Sequence, residues 1–583
     1  MNPSLRRLAR FAPGLPALAG YRRDNLSHDI AAGLAVAAVA IPGSVATAQL
    51  VGFSPVVGLY ASTLPMLVYA FFGTSRQLMV GPSAATGAIV AAAVAPLAGG
   101  NADQAWALAI ALTFITGVLC VGASFLRLGA LADFLSKPIL VGFLNGVALN
   151  VVLSQIGVLF GIRVEAGGIL PRAWEFLNKL PSTHWPTLAV GVATVVMLLV
   201  MPRLTRRLPA ALIAMVAAGF AVQFFNLDAH GVRTVGPVPS GFPVPRVPHI
   251  PLEHLPILVV EAAGLALVLF STTMLAARSF ADRNRYEIDA DREVAALGAV
   301  NIAAAFAQGF AVNGTNSRTA IGEVAGGRTQ VTGIVTAVVV AAVVALFTWP
   351  LQFIPTVSLA AVLVVAGASL FSWQNVAAIG RIDRREYWIA MTATVGVIAF
   401  GVMNAILLAV VLALLSFVQL AARPKVELLG LIEGQPGFHA IRRHPEAAAP
   451  AGLLLFRFNG ALIFFSAAYF RREVLKAVES AGDVRWFVLD LVPVTMIDAT
   501  GVFTIKELFE ELRHRGIATC AVGRESEWAD WAAARGFEER LAQTRFFSSL
   551  GQATGAYVAE HPQIAADIGN GARGPDANTA HRP

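Results

Sequence analysis

Long runs of this chain contain no Asp, Glu, Lys or Arg, among them residues 30–75, 77–102, 104–126, 138–162 and 329–380. Crossing the hydrocarbon core of a bilayer takes roughly 20 mostly apolar residues in a helix. Several of these runs hold one crossing and two hold a pair. A soluble core does not require such runs, so the chain reads as a multi-spanning membrane protein. Composition agrees: charged residues make up 14 % of the chain, against about 25 % in soluble globular proteins.

The formal net charge of +7 is small for 583 residues. It reads as loop bias across a membrane and gives no footprint for nucleic acid. The N-terminus carries Arg6, Arg7, Arg10, Arg22 and Arg23 and no apolar stretch before a cleavage site, so no signal peptide is expected. About fourteen membrane segments can be counted. Alternating them puts the basic clusters at Arg127 to Lys137, Arg203 to Arg207, Arg278 to Arg292, Arg381 to Arg385 and Arg423 to Lys425 on the same side as the N-terminus. Positive charge marks the cytoplasmic side. The N- and C-termini are therefore expected in the cytoplasm, with the chain in the inner (cytoplasmic) membrane. Loops 163–185 and 226–254 then lie outside, and the second is too rich in proline to be helical.

Two segments break the apolar pattern. Val80–Ala92 (VGPSAATGAIVAA) and Val312–Ala325 (VNGTNSRTAIGEVA) are rich in Gly, Pro and small polar residues where a span should be apolar. Irregular backbone survives at membrane depth only against protein or a wet cavity. A pair of such segments in corresponding halves points to a transporter's binding site. An internal repeat supports the pairing: AAGLA occurs at 31–35 and again at 262–266, and Gly81 and Thr86 match Gly314 and Thr319 at an offset of 233. Seven segments per half is an odd number, so the halves are expected to be inverted.

After Arg423 the pattern changes. Strands are expected at 452–459, 462–465, 484–491 and 516–522. Helices are expected over 470–479 and after Asp498, whose side chain can cap the run Ile505, Leu508, Phe509, Leu512. This is a small α/β domain. The expected organisation is a cytoplasmic N-terminus (1–26), a membrane domain (27–422), the α/β domain (423–561) and a disordered tail (562–583).

The ordered motifs resemble the sulfate permease (SulP, solute carrier 26-like) family over about residues 25–558. They are DIAAGLAVAAVAIPGSVATAQLVGFSPVVGLYAS, GTSRQLMVGPSAA, ARSFADRNRYEIDADREVAALGAVNIAAAF and GTNSRTAIGEVAGGRTQVTG. The tail stretch VLDLVPVTMIDATGVFTIKELFEELRHRGI resembles a STAS domain. The resemblance implies a seven-plus-seven inverted repeat with core and gate domains, elevator-like movement of one against the other, and a homodimer. It implies a secondary transporter or exchanger of small anions such as sulfate, bicarbonate, chloride or dicarboxylates. The site would lie between Gly81, Pro82, Ser83, Ala84 and Gly314, Thr315, Asn316, Ser317, Arg318, at two half-helix N-termini whose N–H groups and dipoles attract an anion. Helix packing by small polar residues is the plainer alternative for the same stretches.

Two departures bear on coupling. Gly43 follows Pro42 where many relatives carry Gln or Glu, and Thr272 stands where many carry an acid. Glu261, nearer the outer end of that segment, is the substitute candidate, or else an interfacial carboxylate. Exchange or equilibration without proton-driven uptake is therefore expected. A passive channel and a membrane sensor signalling through the STAS domain are the other readings. Asp498 and Thr500 mark a STAS loop that either starts a helix or serves regulation through a cytoplasmic partner. The ten histidines show no metal spacing, the two cysteines no disulfide frame, and no nucleophile–base set or phosphate loop is present. Neither an enzyme, nor a metal, nor a cofactor is expected.

Overall fold

The computed structural model describes residues 12–127, 137–164, 166, 169–204, 209–400, single positions between 405 and 415, 418–432, 434–523 and 544–564. Arg6, Arg7, Arg10, Arg206, Arg207 and nearly all of the expected disordered tail lie outside them. The chain divides into two compact units, residues 1–413 and 414–583.

The first unit is helical. After α1 (Gly14–Ala19) come α2 (Leu26–Val51), α3 (Pro55–Tyr60), α4 (Leu64–Phe72), α5 (Ala84–Val94), α6 (Ala102–Phe125), α7 (Lys137–Leu159), α8 (Ile169–Lys179), α9 (Trp185–Leu204) and α10 (Ala210–Phe224). There follow α11 (Leu255–Asn284), α12 (Ala290–Phe306), α13 (Asn316–Val324), α14 (Val331–Leu346), α15 (Thr356–Leu370), α16 (Trp373–Ile382) and α17 (Arg384–Phe400). Among the described residues, seven helical stretches are long and apolar enough to cross a membrane, and α5, α10 and α14 are shorter apolar helices. Residues 418–422 are also helical.

Two groups of helices pack together. In one, α12 lies along α6 and α4, and α14 and α13 lie along α2. In the other, α7 packs against α15 and α17, and α9 against α15 and α10. Small residues set these approaches. A Cβ on Gly117 of α6 would stand 2.8 Å from the Gly298 carbonyl of α12, and one on Gly298 would stand 2.7 Å from the Gly117 carbonyl. Backbones that close exclude any larger residue, as in other membrane helix contacts. Pro42 lies inside α2, which leaves the carbonyl one turn earlier without its N–H partner.

The inverted relation of the halves is visible in one short ribbon. β1 (Val80–Gly81) and β2 (Asn313–Gly314) pair antiparallel, Val80 with Gly314 and Gly81 with Asn313. At the sequence offset of 233, Val80 corresponds to Asn313 and Gly81 to Gly314. Each residue thus pairs with the counterpart of its neighbour, as a two-fold axis through the ribbon requires. The expected breaks at 80–92 and 312–325 are therefore extended segments leading into α5 and α13.

The proline-rich loop forms no helix over residues 232–251, as expected, and ends in a 3-10 turn at Leu252–His254. Its backbone bonds to two groups of neighbours. Val235 donates to the Ile354 carbonyl (2.9 Å) and Gly241 to that of Val344 (3.0 Å). Tyr60 donates to the Gly241 carbonyl at 3.0 Å and Gln308 to that of Val244 at 3.1 Å. A cavity of about 450 Å³ beneath it is lined in part by Phe53, Tyr60, Trp106 and Pro243.

The second unit is an α/β domain. Its strands are β3 (Lys425–Ile432), β4 (Gln435–Ala440), β5 (Leu453–Asn459), β6 (Trp486–Asp490), β7 (Ala518–Val522) and β8 (Arg545–Phe547), in the order β4-β3-β5-β6-β7-β8. The β5–β8 ladders are parallel, and β3 is antiparallel to both its neighbours. Alternation along β5 sends Leu454, Phe456 and Phe458 to one face, against α18 (Ala467–Ala481) and α19 (Ala499–His514). Leu453 and Leu455 go to the other face, with Trp486, Cys520 and Tyr557 of α20 (Leu550–Glu560). The expected strand at 462–465 is corrected: only Leu462 makes a bridge, to Ile497. The chain turns instead because Ser466 Oγ and the Asp498 carboxylate take the N–H groups of Ile463 and Phe464. β3, β4 and β8 were not among the expected elements.

Candidate anion site

α5 and α13 begin at the two ends of the ribbon, each within three residues of its paired segment, so their first turns flank the same four-residue ribbon. The first turn of any helix has N–H groups without intrahelical partners. At α5, Ser83 is the N-cap and its hydroxyl accepts from the Thr86 N–H at 3.2 Å. At α13 the N-cap, Thr315, makes no side-chain cap. Its hydroxyl and its N–H both donate to the Met79 carbonyl, at 3.1 and 2.9 Å. The α13 first turn is thus left open beside the capped α5. Asn316 and Ser317, at that end, are exposed, while Ser83 and Ala84 are half-buried.

The two repeats are stitched by matching threonines. Thr86 donates to the Asn313 side-chain carbonyl at 3.0 Å, and Thr319 accepts from the Met79 N–H at 3.0 Å. Each reaches the extended segment of the other repeat. Asn313 then donates to Thr272 at 3.2 Å, and Gly314 N–H donates to Thr273 at 2.9 Å. Thr272 is therefore tied to the ribbon through Asn313. Glu261 lies eleven residues earlier on α11, roughly 16 Å along a helix. It is not drawn into this cluster, and one of its carboxylate oxygens is buried without a hydrogen-bond partner among the described residues.

Arg318 is 4 % exposed. Its Nη2 donates to the Pro82 carbonyl at 2.9 Å and to Ser44 at 3.1 Å, and Ser44 is hydrogen-bonded to Ser62 at 2.6 Å. Its Nη1 has no hydrogen-bond partner among the described residues. The guanidinium sits directly behind the ribbon, where a Cβ on Gly81 would lie 2.0 Å from Nη1. A Cβ on Gly43 would lie 3.7 Å from Nη2, so position 43 faces the same cation. A positive charge with spare donors behind two helix N-termini is a field for anions.

Sequence reasoning named the nine residues from Gly81 to Ala84 and from Gly314 to Arg318, and the fold gathers both stretches. It read Thr86 and Thr319 only as repeat markers, and missed Asn313, Thr273 and Ser44. Asn313 sits in the same polar stretch, so its signal was present. Ser44 gives none, because a lone serine in an apolar helix usually bonds its own backbone. Two buried carboxylates are accounted for elsewhere. Asp29 accepts from the N–H groups of Arg328 (2.8 Å) and Thr329 (3.2 Å) and from the Thr332 hydroxyl (3.0 Å), at the start of α14. Glu293 accepts from Tyr69 and from the Thr74 N–H. Both are saturated anchors away from the ribbon.

Fold and site together define a class: polytopic membrane proteins made of two inverted repeats that meet at broken helices, with an α/β domain appended. The model of the sulfate permease family matches residues 26–393 and that of the STAS domain residues 444–553. The chain belongs to the sulfate permease family. It is 36 % identical to a probable sulfate transporter of Mycobacterium tuberculosis, over 94 % of this chain and 98 % of that one. It is 29 % identical to sulfate transporter 1.1 of Arabidopsis thaliana, over 91 % and 86 %. Among solved structures it is similar in fold to the murine Slc26a9 anion transporter in the inward-facing state, with a TM-score of 0.87 at 20 % identity, over 96 % of this chain and 95 % of that one. The transmembrane domain of a cyanobacterial bicarbonate transporter matches 68 % of this chain and 98 % of its own, with a TM-score of 0.58 at 20 % identity.

Proposed function

We propose that this protein carries small anions, sulfate first among them, across the cytoplasmic membrane by exchange or equilibration. The observation that supports this most is the pairing of an uncapped α13 N-terminus with the buried Arg318, whose Nη1 is left over. The anion would sit at Ser83, Ala84, Asn316 and Ser317, with Gly81, Pro82, Gly314 and Thr315 shaping the backbone around it. Arg318 would act through its field from behind the ribbon. Bicarbonate, chloride and dicarboxylates present the same chemistry in other sizes. The group holding the ribbon would move against the group of α7, α9, α10, α15 and α17, in a homodimer with its STAS domain in the cytoplasm.

Gly43 and Thr272 favour flux without proton coupling, because neither has a side chain that can take up a proton. Radiolabelled anion flux into proteoliposomes, with and without an imposed pH gradient, tests the whole reading. Saturable sulfate exchange that ignores the gradient is the expected result. Gradient-driven accumulation abolished by Glu261→Gln would sink the uncoupled mechanism. Anion binding without flux would favour the sensor.

A further inference from the structure

We propose that α8 is a membrane-surface helix, seated in the headgroup–acyl boundary of the bilayer through Leu170, Trp174 and Leu177. At 3.6 residues per turn these three side chains fall within about 60° of arc, and Arg172, Glu175 and Lys179 fall on the opposite side. The apolar side is the one left open: Leu170 is 65 % exposed, Trp174 69 % and Leu177 56 %. The polar side is the one turned to protein. Glu175 accepts from the Ala166 N–H at 2.7 Å and pairs with Lys179 at 2.6 Å, while Lys179 donates to the Arg163 carbonyl at 2.9 Å. Phe176 is buried and fixes the rotation of the helix, packing edge-on against Phe160 with centroids 5.1 Å apart. In water this arrangement is upside down. In a bilayer interface it is the expected one for an amphipathic helix.

The occupant follows from what the stripe joins. α8 connects the far end of α7 to the start of α9, and the lipid-length helix α9 shows the same outward apolar surface at Val192, Val196 and Leu199. Trp185, at the first position of α9, is 74 % exposed. At the same membrane face, Phe224 and Phe225 close α10 with rings 5.1 Å apart. Aromatic residues at span ends mark the interface level. Trp174 continues that belt onto α8, so the stripe is continuous with the lipid-facing surface.

The test uses the full chain with Cys120 and Cys520 replaced by Ala, reconstituted in phosphatidylcholine bilayers. Leu170→Cys, Trp174→Cys and Leu177→Cys each carry a bimane label, with Arg163→Cys as the aqueous control. A shallow nitroxide-labelled lipid should quench the three stripe positions roughly twofold more than the control, and iodide should show the reverse order. Stripe labels quenched by iodide like Arg163 would overturn the proposal. Labels shielded from both quenchers would also overturn it, by showing that protein covers the stripe. Quenching of native tryptophan fluorescence by brominated lipid, compared with Trp174→Phe, gives a label-free check. Loss of that difference would count against α8 as well.

Discussion

Gly81 and Arg318 occupy one space: the guanidinium Nη1 stands 2.0 Å from where a Gly81 Cβ would be. Arg318 cannot withdraw easily, because its other nitrogen is bonded to Pro82 and Ser44. Gly81→Ala should therefore push the cation off its anchors. Gly43→Ala, with 3.7 Å to spare, should leave it in place. Anion affinity should fall roughly tenfold in the first, about 1.4 kcal/mol, and stay near wild type in the second. Sulfate-dependent thermal stabilisation of the purified chain reads both.

Position 43 also offers a charge test. Gly43→Glu would place a carboxylate beside Arg318 and cancel its field when ionised. The cancellation is present at high pH and lost as the carboxylate takes up a proton. Flux through the variant should therefore rise as pH is lowered, while wild-type flux stays level over the same range. A set of proteoliposome fluxes at graded symmetric pH measures it. A flat variant profile would show that residue 43 does not face the anion's field.

Thr272 takes a hydrogen bond from Asn313, which in turn receives one from Thr86. Thr272→Val keeps the shape and removes the acceptor, leaving a buried amide donor short of a partner. The cost is about 1 kcal/mol or somewhat more. KM for the transported anion should rise about fivefold with a smaller change in maximal rate. Thr272→Ser keeps the hydroxyl and should behave as wild type.

The membrane domain was legible because bilayer crossing demands long apolar runs, and because broken helices need residues that apolar helices avoid. Gly81, Ser83 and the stretch from Gly314 to Arg318 stand out for that reason. The Ser44 anchor of Arg318 was not legible, since Ser44 lies 274 positions away and only the fold brings it near. In the STAS unit, β5, β6 and β7 were visible as apolar strands. β4 was not: Gln435–Ala440 is an edge strand with exposed and half-buried residues, so it lacks both alternation and an apolar run. The supposed strand at 462–465 misled because Leu462, Ile463, Phe464 and Phe465 are strand-prone. Side-chain acceptors on Ser466 and Asp498 outweighed that preference.

Asp498 joins two parts of the STAS unit. One carboxylate oxygen caps α19 by accepting from the Gly501 N–H at 2.8 Å, and the other accepts from the Phe464 N–H at 2.9 Å. Thr500 lies exposed on the same first turn. Asp498→Ala should remove the cap and release the 462–466 turn, at a cost of about 1–2 kcal/mol to the unit. Asp498→Asn, which keeps one acceptor oxygen, should lose about half of that. Hydrogen exchange on the full chain would show it as faster exchange at Phe464 and Gly501 together. Thr500→Val should leave both amides as in wild type, because its side chain serves neither. If Thr500→Val also speeds exchange at Gly501, the hydroxyl belongs to the cap, and a regulatory role for it loses its ground.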